Sequence, residues 1–357
     1  MPFYQRINTK TKCGKRTARR LMRLKDALSV IPTKTVDERL LLATWNIRDF
    51  DKPAYGERSD EAIYYIAEII SRFDIVAVQE VYKDLKGLNR VLKVLGGYWK
   101  YIITDMAGDG RGNKERMTFL YDSRKVSFGG LAGELVLPEV KIKENGKSKV
   151  VPAEQVWRTP FICGFKAGWS RFMLASVHIL WGGGKAEPAN RVEEINAVAE
   201  FLRKRTEDDT AWSRNLILLG DFNIFSTEDE TFKRLTNHGF TVPDKLKEFA
   251  SNAARNRHYD QIAFRVQPDR LDQTGECGVF DFYEHVFTAD DESLYISDMG
   301  PAYLKNSKGK PRTTAQKRTY YKTNWRTHQM SDHLPMWVEL KIDYSARYLE
   351  RKLSGGV

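Results

Sequence analysis

The sequence predicts an α/β protein built on two packed β-sheets with helices on their outer sides. Eight short runs rich in β-branched and aromatic residues recur between residues 39 and 342, few helical patterns fall among them, and no Pro/Ser-rich linker or internal repeat divides the chain. So many strands with so few helices between them argue against a simple parallel doubly wound sheet.

Segment 1–38 reads as a basic arm. In KRTARRLMRLKDALSVIP, Leu21, Leu24 and Leu28 share one helical face ringed by basic residues, which predicts an amphipathic helix docked on the core or laid on DNA. A basic, Arg-rich transit peptide is the minor alternative. RLLLATWNI (39–47) is the first strand. In SDEAIYYIAEIISRF, Ser59 caps a helix, Asp60 and Glu61 suit its first turn, and Ile63, Ile66, Ile70 and Phe73 recur at helical spacing. DIVAVQEV (74–81), WKYIITD (99–105) and MTFLYD (117–122) follow as strands, and KIKENGKSKV (141–150) reads as a hairpin around its Asn-Gly pair. RFMLASVHI (171–179) is a strand, and a helix over 191–205 places Val192, Ile195, Val198, Ala199 and Leu202 on one face. LILLGDFN (216–223) precedes a third helix in TEDETFKRLTNHG, capped by Ser226 or Thr227 and closed at Gly239. HYDQIAFRV (258–266) and MWVELKI (336–342) complete the domain 39–342, with a tail at 343–357.

A chain of 357 residues, 41% hydrophobic, buries a full core, which excludes disorder as a whole-chain state. Nowhere does an apolar run approach the roughly 20 residues that cross a bilayer, and the N-terminus lacks the apolar centre of a secretory signal. A soluble protein, cytoplasmic or otherwise intracellular, is expected. Cys13, Cys163 and Cys277, odd in number, widely spaced and without metal-ligand neighbours, fit a reducing compartment. The net charge of +11 is concentrated: residues 1–40 and 305–328 each carry +8, leaving the rest at −5. Two basic segments around an acidic body suit a polyanion held against carboxylates; an acidic protein partner is the blander reading.

Four apolar runs end in the same chemistry. LLLATWNIRDF delivers Asn46 and Arg48, DIVAVQEV delivers Gln79 and Glu80, LILLGDFN delivers Asp221 and Asn223, and SDHLPMW begins with Asp332 and His333. Carboxylates and carboxamides gathered at one rim form an oxygen-rich cluster for a hard cation such as Mg²⁺ rather than zinc. His178 closes LASVHIL, so two imidazoles join this rim as proton carriers near neutral pH.

With these residues in place, TWNIRDF, VAVQEV, NKERMTFLYD, SVHILWGG, LLGDFNIF, HYDQIAF and SDHLPMWVEL resemble, in order, the motif series of the endonuclease/exonuclease/phosphatase superfamily, especially its deoxyribonuclease I-like branch. The resemblance spans residues 39–342. It implies a four-layer α/β sandwich with the site at one edge of two central sheets. It makes Glu80 the principal metal carboxylate, with Asn46 and Asp332 nearby, and Mg²⁺ the cofactor, Mn²⁺ or Ca²⁺ being alternatives. Asp221 and Asn223 then orient or activate the attacking water and contact the scissile phosphate. Glu115 orients His178 and Asp260 holds His333, the pairs serving as acid, base or phosphate-binding cations. In-line attack by water leaves a 5′-phosphate and a 3′-hydroxyl.

Secreted members of that branch carry a signal peptide and disulfides, which this sequence lacks, so intracellular members are the better comparison. Arg48 and Arg158 are read as facing the phosphate backbone, with a surface ion pair as the competing reading for Arg158. Just ahead of SDH, the basic insertion places Lys317, Arg318, Lys322 and Arg326 among Tyr320, Tyr321 and Trp325, where cations meet phosphates and rings either stack on bases or pack on the sandwich. The leading expectation is a Mg²⁺-dependent endonuclease or nicking enzyme on double-stranded DNA. The alternatives are a phosphoesterase on a phosphoinositide, sphingolipid or nucleotide, and a catalytically silent nucleic-acid-binding protein. No protein partner is indicated.

Overall fold

The computed structural model describes residues 2–50, 52, 55–106, 115–144 and 147–354. Its strands are β1 (Arg39–Phe50), β2 (Ile75–Val81), β3 (Trp99–Ile103), β4 (Arg116–Asp122), β5 (Val126–Glu134), β6 (Val140–Glu144), β7 (Lys147–Val151), β8 (Phe161–Ala167), β9 (Ser170–His178), β10 (Leu216–Asp221), β11 (Asp260–Arg265), β12 (Gln273–Val279) and β13 (Met336–Lys341). One mixed sheet runs β12-β13-β1-β2-β4-β3 and the other β11-β10-β9-β8-β5, while β6 and β7 pair as a separate hairpin. All eight strands read from the sequence are present. β5, β8 and β12 were not read as strands, and the Asn-Gly turn of the 141–150 hairpin lies outside the described residues.

Alternation in the strands builds the layers. Leu40 and Leu42 of β1, with Ile75 and Ala77 of β2, join the core shared with β9, β10 and helix α4 (Ala189–Glu207), whereas Leu41, Ala43, Trp45, Val76 and Val78 face the core under α1 (Lys12–Ala27), α2 (Asp60–Ser71) and α3 (Lys86–Leu95). Helices, sheet, sheet and helices make the four-layer sandwich expected from the sequence. The same parity puts Asn46 and Gln79 on the seam between the sheets. Both are fully buried there, and Gln79 bridges Thr44 of its own sheet and Ser176 of the other.

Ser59 caps α2 as read, its hydroxyl accepting from the Ala62 N–H. In α4, Arg191 rather than Val192 lies fully buried beside Ile195, Val198 and Leu202. The third helix, α5 (Glu230–Asn237), starts later than read: Asp229 precedes it and takes the Ser226 N–H, so neither Ser226 nor Thr227 caps it. The N-terminal helix α1 is docked on the core through Leu21, Leu24 and the following Leu28, and three of its cations pair with carboxylates: Arg16 with Glu61, Arg20 with Asp291 and Lys25 with Glu68. Among the described residues no helix is long and apolar enough to cross a membrane, and all three cysteines are unpaired.

Candidate active site

The strand register assembles the rim. β10 lies between β9 and β11, and Asp221 at its end is the backbone partner of His178 on one side and Asp260 on the other. Three reactive side chains therefore stand abreast at the inter-strand spacing of roughly 5 Å. The facing sheet adds Asn46 from β1, where its pairing with β2 shifts register, Glu80 from the end of β2, and His333 from the turn before β13.

Asp221 is the hub. Its Oδ2 accepts from Asn46 Nδ2 at 2.9 Å and lies 3.5 Å from His178 Nε2 and 3.7 Å from His333 Nε2. Its Oδ1 accepts from the Asn223 N–H at 2.9 Å, which shapes a turn in which Asn223 has φ 54°. Asn223 Nδ2 donates to the Ile179 carbonyl at 2.8 Å, joining this turn to the loop after His178. Gly220 is required: a Cβ there would sit 2.1 Å from the Val177 carbonyl oxygen of β9.

His333 is held from three directions. Nδ1 stands 2.8 Å from Asp260 Oδ2, the backbone N–H donates to Ser331 Oγ, and the carbonyl accepts from Trp45 Nε1. Burial alone would push this imidazole's pKa down, but Asp260 and Asp221 outweigh it and hold the pKa well above its ordinary value. His178 Nδ1 lies 3.3 Å from Glu115 Oε2 without an aligned hydrogen bond, while Arg158 Nε donates to that carboxylate at 3.0 Å.

Glu80 stands in a left-handed backbone conformation, φ 61°, where the β1/β2 register shifts. Its carboxylate accepts from Asn46 Nδ2 and from the Asp49 N–H. Burial, with Glu115 and Asp332 adding to it, raises its pKa. With the Asn46 amide donating to two carboxylates, its Oδ1 is left buried with no hydrogen-bond partner among the described residues. An unpaired carbonyl oxygen beside a crowded carboxylate suits a hard divalent cation, and Glu80 and Asn46, with Asp332, fit that role. Asp221, Asp260 and His333 also lie close enough together to share an ion, but the hydrogen bond between Asp260 and His333 already occupies part of that set.

The predicted residues around the rim divide. Arg48 anchors to the Thr323 carbonyl and Thr327 hydroxyl, with Nε 3.9 Å from Asp332. Arg158 is engaged with Glu115, the ion pair that competed with a phosphate-facing reading. Arg326 folds over Tyr283 and donates to the Lys322 and Phe287 carbonyls, and it is half-exposed. Lys317 leans on Tyr303, Lys322 is half-exposed and Arg318 exposed. Tyr320, Tyr321 and Trp325 are buried in the core under the helices, which removes them as stacking groups.

The sequence reading missed three supports. Ser331 takes the Arg48 and His333 N–H groups while donating to the Asn46 carbonyl. Gln79 was noted but not given its bridging role. Buried Arg191 donates to the carbonyls of Leu180, Ala186, Asn223 and Trp181, knitting the His178 and Asn223 loops together. Arg191 left a trace in the sequence as a cation in register with the apolar face of its helix.

The family model described as Endonuclease/Exonuclease/phosphatase family matches residues 43–333. A deoxyribonuclease of Thioalkalivibrio sp. is 28% identical over 191 residues, covering 52% of this chain but 46% of its own length, so the chain spans about half of that relative. Bos taurus deoxyribonuclease-1 is 25% identical over 281 residues, covering 73% of this chain and 90% of its own. Among solved structures, the human Nocturnin catalytic domain with a bound sulfate aligns with TM-score 0.51 at 13% identity, covering 85% of this chain and 94% of its own. A humanized D. rerio TDP2 aligns with TM-score 0.50 at 13% identity, covering 85% and 98%.

Proposed function

The chain belongs to the endonuclease/exonuclease/phosphatase family, a superfamily of phosphodiester hydrolases, and from that premise we propose that it is a divalent-cation-dependent DNA endonuclease or nicking enzyme. The observation that carries the reading is Asp221, within reach of two imidazoles and hydrogen-bonded to the amide that also touches Glu80. Basic charge in segments 1–40 and 305–328 and relatives named deoxyribonuclease favour DNA over a small phosphoester. The unpaired cysteines support an intracellular setting.

In this reading Asp221 orients the attacking water and takes its proton, with Asn223 holding the strand-end turn in register. His333, kept cationic by Asp260 and Asp221, and His178, beside Glu115, bind the scissile phosphate and stabilise the charge that develops on its oxygens. Glu80, Asn46 and Asp332 would hold the cation, which supplies Lewis-acid polarisation of the phosphoryl group and offsets charge on the leaving oxygen. The products carry a 5′-phosphate and a 3′-hydroxyl. The test is a panel in Mg²⁺ buffer of plasmid DNA, single-stranded RNA, a nucleotide and a phosphoinositide, each with wild type and Asp221→Ala. Cleavage of DNA lost in the variant supports the reading; turnover confined to the nucleotide or lipid overturns it.

A further inference from the structure

Three aromatic residues stand one step out from the rim on the same three strand ends that build it. Trp181 follows His178 of β9 by three residues, Phe225 follows Asn223 beyond β10 by two, and Tyr259 directly precedes Asp260 of β11. Their rings form a closed triangle: Trp181 to Phe225 at 5.6 Å, Trp181 to Tyr259 at 5.5 Å, and Phe225 to Tyr259 at 5.6 Å between centroids. Tyr259 in turn packs 5.4 Å from the His333 ring, so the indole lies two ring spacings from a rim imidazole.

The cluster is not a plug in the core. Trp181 is 44% exposed while Phe225 and Tyr259 are half-buried beneath it. Nor is it loosely held. Arg191, fully buried, lies under the Phe225 ring and binds the Trp181 carbonyl, and the Arg257 guanidinium stands 4.6 Å over Phe225. After Trp181 come Gly182, Gly183 and Gly184, all with positive φ, so the loop turns away without a side chain next to the indole. A fixed, exposed ring with a cation nearby, one step from the proposed phosphate position, has the chemistry of a nucleobase platform.

We propose that Trp181 stacks on the base adjacent to the scissile phosphate, and that the preferred substrate is DNA in which this base is unpaired. A base stacked within a duplex hides both faces, so closed duplex must first unstack to use the platform. Single-stranded or locally opened DNA carries no such cost. The inference rests on the nuclease reading above and adds the strand form to it.

The experiment measures kcat/KM in Mg²⁺ for a 5′-labelled single-stranded oligonucleotide and for the same sequence closed in a hairpin duplex, using wild type, Trp181→Ala and Trp181→Phe. Wild type should favour the single strand. Trp181→Ala should lose about tenfold or more on it, the size of one base–aromatic stack, and bring the two rates together. Trp181→Phe, which keeps a ring and guards against misfolding, should retain most of the preference. Wild-type preference for duplex, or a ratio unchanged in Trp181→Ala, overturns the stacking role while leaving the nuclease reading standing. Failure of wild type to cut either DNA overturns both.

Discussion

Asp260 opens β11 of one sheet and His333 sits in the turn before β13 of the other, yet Oδ2 of the carboxylate stands 2.8 Å from Nδ1 of the imidazole. The pair ties the sheets together at the rim and fixes which face His333 turns to Asp221. Because its folded pKa is raised, the stabilisation from this imidazolium is fully present below the unfolded value of about 6.5 and is lost only as pH rises through the folded value. Asp260→Asn should lower the His333 pKa in an NMR titration and reduce kcat by about 10²-fold or more. An unmoved titration in that variant would contradict the pairing.

Glu80 and Asn46 give a prediction independent of turnover. If they hold the cation, Mg²⁺ should raise the melting temperature of the wild type, since a ligand at a hundred times its Kd contributes about 2.7 kcal/mol. Glu80→Gln should abolish most of that rise while melting normally in EDTA. Equal Mg²⁺ shifts in both proteins would place the cation elsewhere.

Arg191 satisfies four backbone carbonyls from a fully buried position. Arg191→Met keeps the length of the side chain but leaves those acceptors unpaired, and should cost about 2–4 kcal/mol in urea denaturation. A loss below the error of the measurement would mean that water replaces the guanidinium.

His328 gives the acid limit of stability a specific origin. It is buried beside Arg58, and burial first, then that cation, lowers its pKa to about 4. Its stabilisation is therefore whole above about 6.5, where the unfolded imidazole is also neutral, and falls as pH drops from there to about 4, by roughly 3 kcal/mol. His328→Gln should flatten this part of the stability curve; an equally steep curve would assign the acid loss to other groups.

Leu24 tests the status of the N-terminal helix. It is fully buried, so Leu24→Ala should cost about 2–5 kcal/mol in denaturation, as for an interior leucine. A free arm would lose almost nothing.

The central strands and most of the rim were legible because both depend on local pattern. Apolar runs ending in Asn46, Glu80, Asp221 and His333 announce themselves without reference to any other segment. Two of the missed strands, β5 and β8, have a tertiary cause. A Cβ at Gly129 of β5 or at Gly164 of β8 would lie 2.4–2.6 Å from the Trp212 ring, so these strands carry glycine, a poor strand former, to admit an indole from elsewhere in the chain. The contacts made by the basic segments were hidden for a related reason. Charge is visible in the sequence, but the partners of Arg16 and Arg20 lie 45 and 271 residues away, and the rings of Tyr321 and Trp325 are covered by residues far from them in the chain.

The most direct measurement is supercoiled plasmid incubated with the protein and Mg²⁺, beside Asp221→Ala and an EDTA control. Nicked or linear plasmid from the wild type alone, lost in the variant and in EDTA, is the predicted result. Equal cleavage by Asp221→Ala, or wild type that cuts neither the plasmid nor a single-stranded DNA circle, would contradict the account.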